Sequence, residues 1–146
     1  MERDGVASRF TFDPGWESDP IWSPDGQRIA FVSQRDGNRE IYLVNRDGTE
    51  LTNLTQHPAE DWTPAWSPDG QRLVFSSNRQ GNWEIFVTNA DGTDMRQITS
   101  DGAGNLSPVW SADGQTMAYS SKRDGNWEIY AMPAPDSQGQ MTGAPQ

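Results

Sequence analysis

The amino-acid sequence predicts an all-β chain made of three copies of one four-stranded antiparallel unit. Three observations carry that expectation. A block of residues returns at a constant interval of 44, turn-forming pairs recur every 11 residues inside each copy, and several strand-like runs are apolar on both faces. The composition agrees. A chain of 146 residues with 14 glycines and 10 prolines suits many short strands joined by turns better than helices.

The repeat is explicit. Trp22-Ser23-Pro24-Asp25-Gly26 returns as Trp66-Ser67-Pro68-Asp69-Gly70 and as Trp110-Ser111-Ala112-Asp113-Gly114. Gly37-Asn38, Gly81-Asn82 and Gly125-Asn126 follow in phase, then Glu40-Ile41-Tyr42, Glu84-Ile85-Phe86 and Glu128-Ile129-Tyr130. Asn45-Arg46-Asp47-Gly48-Thr49 recurs as Asn89-Ala90-Asp91-Gly92-Thr93.

Within a copy, Asp25-Gly26, Asp36-Gly37 and Asp47-Gly48 mark three turns, as do Asp69-Gly70, Gln80-Gly81 and Asp91-Gly92. Asp-Gly suits a tight turn because glycine, and to a lesser degree aspartate, tolerates positive φ. Three turns join four strands in a meander. The second strands are Arg28–Ser33, Arg72–Ser77 and Thr116–Ser121, and the third Glu40–Asn45, Glu84–Asn89 and Glu128–Met132. Shorter fourth strands fall at Leu51–Thr55 and Met95–Thr99. The first strand is read as the few residues before each Trp turn, Pro64–Ser67 for example.

Ile29-Ala30-Phe31-Val32 and Glu84-Ile85-Phe86-Val87 place apolar groups on both strand faces, the pattern of a sheet covered on both sides. A four-stranded meander sandwiched between neighbours is the blade of a β-propeller, and a period of 44 lies in the range of roughly 40–50 seen for blade repeats. The expected blades are about 20–63, 64–107 and 108–146, in one half-propeller unit spanning 1–146. Propeller rings hold about 4–8 blades, so three are expected to close as a six-bladed homodimer.

The ends carry strand remnants. Arg3-Asp4-Gly5 and Arg9-Phe10-Thr11 parallel Arg46-Asp47-Gly48 and Asn53-Leu54-Thr55, one residue shorter. Residues 6–12 are therefore expected to be a closing strand, with Arg9, Phe10, Thr11 and Phe12 completing the last blade of the partner. Gln140-Met141-Thr142 echoes Gln97-Ile98-Thr99, but Pro133 and Pro135 demote that tail to an edge strand at best.

A net charge of −10 argues against nucleic acid and against an anionic membrane surface, and no apolar run approaches the ~20 residues of a membrane span. The chain has no cysteine and one histidine, His57, so neither a thiol nucleophile nor a histidine metal pair is available. No Gly-x-Ser-x-Gly elbow or phosphate-cradling glycine loop occurs. The reading is a protein with no catalytic residue, cofactor or metal. Asp25, Asp69, Asp113, Asp47 and Asp91 are read as turn residues bonding their own backbone. Arg35, Arg79 and Arg123, each five residues before Glu40, Glu84 and Glu128, are read as repeated salt bridges with those glutamates.

What varies while the frame repeats is the loop face. Glu17, Asp61 and Asn105 stand three residues before Pro20, Pro64 and Pro108, beside Ser18, Trp62 and Leu106. The facing loops contribute Arg39, Trp83 and Trp127. Tryptophan and charge on a loop face make a recognition platform, since aromatic residues give large contact area at low entropic cost. Glu17, Asp61, Trp62, Asn105, Arg39, Trp83 and Trp127 are the expected contacts for another protein. Where two half-rings meet, Glu17 and Asp61 are also expected to crowd a central channel, raising each other's pKa or recruiting a cation.

The pattern Pro-x-Trp-Ser-Pro-Asp-Gly, then Arg-x-Gly-Asn-x-Glu-Ile-Tyr/Phe, then Asn-x-Asp-Gly-Thr resembles the blade of the TolB-type β-propellers, also called WD40-like or PD40 repeats. The resemblance spans Pro20 to Met132. It implies a binding and assembly module, with a periplasmic location by analogy. Such blades also accompany prolyl-oligopeptidase-like hydrolases and lyases, so the alternative is an accessory or gating propeller of a larger enzyme. Near-regular copies are also what recent amplification or design produces.

Overall fold

Eleven strands follow one another in the computed structural model, which describes residues 5–136. β1 (Glu17–Trp22), β2 (Arg28–Ser33), β3 (Glu40–Asn45) and β4 (Thr52–Asn53) form one antiparallel meander. β5 (Asp61–Trp66), β6 (Arg72–Ser77), β7 (Glu84–Asn89) and β8 (Arg96–Gln97) form the second. β9 (Asn105–Trp110), β10 (Thr116–Ser121) and β11 (Glu128–Pro133) form the third, which has three strands among the described residues. The all-β expectation holds, and each sheet is one blade.

The first strands begin three residues earlier than the sequence suggested, at Glu17, Asp61 and Asn105. Each carries a bulge: the β1–β2 register shifts between Ser18 and Ile21, and the β5–β6 register between Trp62 and Ala65. Asp19, Thr63 and Ser107 take up the extra length with φ of 52°, 51° and 56°, unusual for residues bearing a Cβ. A bulge breaks the period-2 pattern, which hid these strands. The fourth strands are shorter than expected, because Leu54 and Thr55 clasp Ile41 rather than continue a ladder. Residues 6–12 form no strand in the single chain. The parallels at Arg3-Asp4 and Gln140-Met141-Thr142 lie outside the described residues.

The blades stack through two unlike faces. One is aliphatic: Ala30, Val32, Ile41 and Leu43 of the first blade pack on Trp66, Leu73, Phe75 and Phe86 of the second. The contact repeats one step on, where Ala65, Val74, Ile85 and Val87 meet Met117 and Tyr119. Leu73, Phe75 and Ile85 are fully buried, each stabilising the fold by about 1.5–3 kcal/mol relative to exposure. The Trp turns add a second interlock. Trp66 donates from Nε1 to the Ile21 carbonyl at 3.3 Å, and the Arg28 guanidinium lies 5.2 Å from its ring centre. Arg72 covers Trp110 in the same way, at 5.0 Å. Trp22 meets no preceding blade among the described residues and is 48% exposed.

The Trp turns share one bonding scheme. Ser23 accepts the Gly26 amide at its carbonyl, while its hydroxyl donates to Asp25 at 2.6 Å and accepts the Arg28 amide at 3.0 Å. The Gln27 amide also donates to Asp25. Gly26 has φ of 69°, which is why a glycine closes the turn. Ser67-Asp69 and Ser111-Asp113 repeat the scheme. The Ser23 and Ser111 hydroxyls, then backbone amides, hold Asp25 and Asp113 below the ordinary carboxylate value of 3.8. The Thr49 and Thr93 hydroxyls and amides do the same for Asp47 and Asp91. A folded-state pKa below the unfolded one means that this stabilisation is present above pH 3.8 and is lost as pH falls through the lower folded value. The urea midpoint should drop as pH is lowered from about 5 to 2. Replacing Asp25, Asp47, Asp91 and Asp113 by Asn should flatten that dependence in chemical-denaturation curves.

Candidate functional site

In the first two blades the start of the first, inner strand brings one acidic side chain against an arginine from the turn between the second and third strands of the same blade. Arg35 meets Glu17 at 2.5 Å, and Arg79 donates to both Asp61 oxygens at 3.1 Å. The partner of each arginine is therefore the inner-strand acid and not Glu40 or Glu84. The register sets Ser33 opposite both Glu17 and Glu40, and Ser77 opposite both Asp61 and Glu84, and the two glutamates are already taken up by other donors. Each guanidinium also lies over an aromatic pair. Arg79 is 5.6 Å from the Phe75 ring centre and 4.9 Å from that of Phe86. Arg35 sits likewise over Phe31 and Tyr42, and Arg123 over Tyr119 and Tyr130.

In the third blade the inner-strand position is Asn105, which cannot neutralise a cation. Arg123 turns instead to Asp101 at 3.0 Å. Asn105 is fully buried and donates to Glu84 and Asp101, both at 2.8 Å. The glutamates have their own role. Glu84 accepts from the Thr99 hydroxyl, the Gly102 amide and Asn105, and Glu40 accepts from Asn53 and the His57 amide. They tie the fourth strand and the blade-to-blade loop to the third strand. His57 belongs to that loop, its Nδ1 accepting the Ala59 amide at 3.0 Å.

The Glu17 and Asp61 carboxylates are each bound to their own arginine. Asp61 and Asn105 are buried, so neither presents a side chain to a partner. Among the described residues no group of three or more His, Cys, Asp or Glu side chains forms a metal cage. The Tyr130 hydroxyl donates to Asp124, which pushes its pKa up to about 12, and at Tyr42 burial followed by Asp36 acts in the same direction. Both phenols stay protonated at neutral pH.

The remaining candidates assemble into a column. The Arg39 guanidinium lies between Trp16 and Trp62, 5.4 and 4.9 Å from their ring centres, and Trp62 packs on Trp83 at 6.4 Å with planes tilted by 55°. Trp62 Nε1 donates to Asp19 at 2.8 Å, and Glu60 receives the Arg39 amide. Trp127, the equivalent of Trp83 one repeat on, is 52% exposed. Trp16, Asp19, Glu60 and Asp101 were missed in the sequence. Trp16 and Glu60 are equivalent positions one residue before the inner-strand acids, a signal that comparing the copies position by position exposes.

A family model described as the TolB β-propeller domain matches residues 3–144. The chain belongs to the TolB β-propeller family. An uncharacterized protein of Agrobacterium fabrum, Atu1656, is 38% identical over 58 residues, covering 40% of this chain and 20% of that one. The uncharacterized peptidase YuxL of Bacillus subtilis is 35% identical over 57 residues, covering 38% of this chain and 9% of the peptidase. Among solved structures, TolB from Acinetobacter baumannii superposes with a TM-score of 0.76 at 25% identity, over 86% of this chain and 31% of TolB. This TolB-family chain thus spans a fifth or less of these curated relatives and under a third of that structure.

The three arginine pairs differ in burial, and their energetic weight should follow. Asp61 is completely buried and the Arg79 side chain 10% exposed, whereas Arg123 and Asp101 are both more than a third exposed. Asp61→Asn should cost about 3–5 kcal/mol, because it leaves a buried guanidinium unneutralised. Asp101→Asn should cost about 1 kcal/mol or less. Glu17→Gln should fall between them in urea unfolding followed by tryptophan fluorescence.

Proposed function

We propose that this chain is a non-catalytic, self-assembling propeller scaffold whose three blades pair with those of a second copy, and whose loop face serves as a protein-recognition surface. One observation carries the reading. The aliphatic face that packs on the next blade in the first two copies is bare in the third among the described residues. Ile41 and Ile85 are fully buried, while Ile129, at the same position, is 74% exposed, and Val109 is 54% exposed where Ala65 is 5%. Ala118, Ser120 and Ala131 complete that face. The complementary aromatic face of the first blade, Ile29, Phe31, Tyr42 and Val44, meets no blade among the described residues and is flanked by Phe10 and Thr11 instead. The two faces fit each other as successive blades do, and two copies joined head to tail about a two-fold axis use both. Six blades lie inside the usual range for a closed ring.

The same face chemistry identifies the recognition surface. With Asp61 and Asn105 buried, the column of Trp16, Arg39, Trp62 and Trp83 together with Trp127 supplies the contact area, and the net charge of −10 favours a partner without acidic patches.

The second reading, an accessory propeller beside a catalytic domain, draws support from the identity to YuxL. The two separate cleanly in solution. Light scattering of the purified chain should return twice the 16.3 kDa chain mass at micromolar concentration. Ile129→Asp should shift the protein toward single-chain mass without loss of β signal in circular dichroism. A folded protein that remains at single-chain mass at every concentration would leave the accessory reading standing.

A further inference from the structure

The fourth strand of each blade works as a clasp. In the second blade the Ile98 amide donates to the Ile85 carbonyl at 2.7 Å, the Thr99 hydroxyl accepts the Ile85 amide at 2.8 Å, and that hydroxyl donates to Glu84 at 2.5 Å. The first blade repeats the first two contacts. Leu54 bonds the Ile41 carbonyl at 2.8 Å, and Thr55 accepts the Ile41 amide at 3.1 Å. There Asn53 also donates to Glu40 and to the Tyr42 hydroxyl. In the third blade the corresponding edge is open among the described residues. Glu128 and Ile129 are exposed, where Glu40, Glu84, Ile41 and Ile85 are buried.

The chain holds a third copy of the clasp sequence. Arg9 to Glu17 aligns without a gap on Asn53 to Asp61 at the same spacing of 44, which sets Phe10 on Leu54, Thr11 on Thr55 and Pro14 on Pro58. In the single chain this segment lies elsewhere. Phe10 and Thr11 flank Ile29, Phe31 and Val44 across a cavity of about 220 Å³, and the Thr11 hydroxyl donates to Glu17 of its own blade. The attachment is slight. Phe10 is 41% and Phe12 76% exposed, and Arg9 bonds only carbonyls of its own segment and stacks on Phe12.

We propose that residues 8–12 are an exchangeable arm with two seats: over the first blade of its own chain, and on the open Glu128–Ile129 edge of a second copy. The inference rests on the ring reading above. The same event moves the arm out of the first seat and into the second, because the partner's aliphatic face takes the place over Ile29, Phe31 and Val44 where Phe10 and Thr11 lie. In the second seat Thr11 stands where Thr55 and Thr99 stand, receiving the Ile129 amide and donating to Glu128. Arg9 replaces Asn53 and brings a positive charge to an edge that carries Glu128 and Asp124. The arm thus shields an apolar face before assembly and locks the seam after it.

The absence of native cysteine makes the seat readable by cross-linking. Thr52 pairs with Leu43, and Arg96 with Val87, so the arm register sets Ser8 opposite Ala131 of the second copy. Cα atoms of directly opposed residues lie ~4.5–5.5 Å apart, within disulfide reach. A chain carrying Ser8→Cys, mixed with one carrying Ala131→Cys and oxidised, should yield a two-chain species on a non-reducing denaturing gel, well above either chain alone. A second measurement guards against a misfolded cysteine variant. Arg9→Glu and Glu128→Arg should each weaken the dimer in sedimentation by about tenfold, and the double variant should restore it. A dimer by light scattering with no cross-link and no charge rescue would overturn the arm while leaving the ring reading intact. A single-chain mass under reducing conditions would overturn both. A link within one chain between Ala131→Cys and Gly139→Cys would give the edge to the carboxyl-terminal segment and also overturn the proposal.

Discussion

Every other feature of this structure depends on the packing of an aliphatic sheet face onto an aromatic one. A blade of four short strands buries too little by itself, and its two apolar faces must both be covered. The chain meets the requirement by making the faces unlike. Small and branched side chains such as Ala30, Val32, Ile41 and Leu43 leave room for Phe75 and Phe86, which stack on each other at 6.0 Å under Arg79. Because the faces differ, blades can follow one another in only one direction. The arginine over each aromatic pair then needs a counter-charge, which the inner-strand acid supplies in the first two blades and Asp101 in the third.

Much of this was legible in the residues. Gly26, Gly37 and Gly48, with their equivalents, marked every tight turn, and all have positive φ. The two-sided apolar runs marked strands covered on both sides. The pairing of Arg35 and Arg79 was misread because Glu40 and Glu84, equally in register, are taken up by the fourth strand and the blade-to-blade loop, which leaves each arginine to the first-strand acid. The inner strands were cut short for a related reason. Ser18 to Pro20 and Trp62 to Pro64 show no alternation, because a bulge places successive side chains off the pleat.

The loop face was half visible. Trp62, Arg39 and Trp83 were singled out as residues that vary within a repeated frame, and they do meet. Asp61 and Asn105 were singled out on the same ground but lie buried. Variation among copies therefore has two sources that a single sequence does not separate. One is a surface free to change. The other is a buried polar position whose partners change with it, as Asn105 does by turning to Glu84 while Arg123 moves to Asp101.

The constant spacing of the copies has a genetic consequence. Any crossover between misaligned repeats that adds or removes 44 residues joins an aliphatic face to an aromatic one, wherever within the repeat it falls. The two terminal faces stay the same. Contact chemistry consequently does not count blades; only the angle that each blade subtends does. A lineage built this way can change the number of its blades in one recombination event and inherit, unaltered, the surfaces that close the circle.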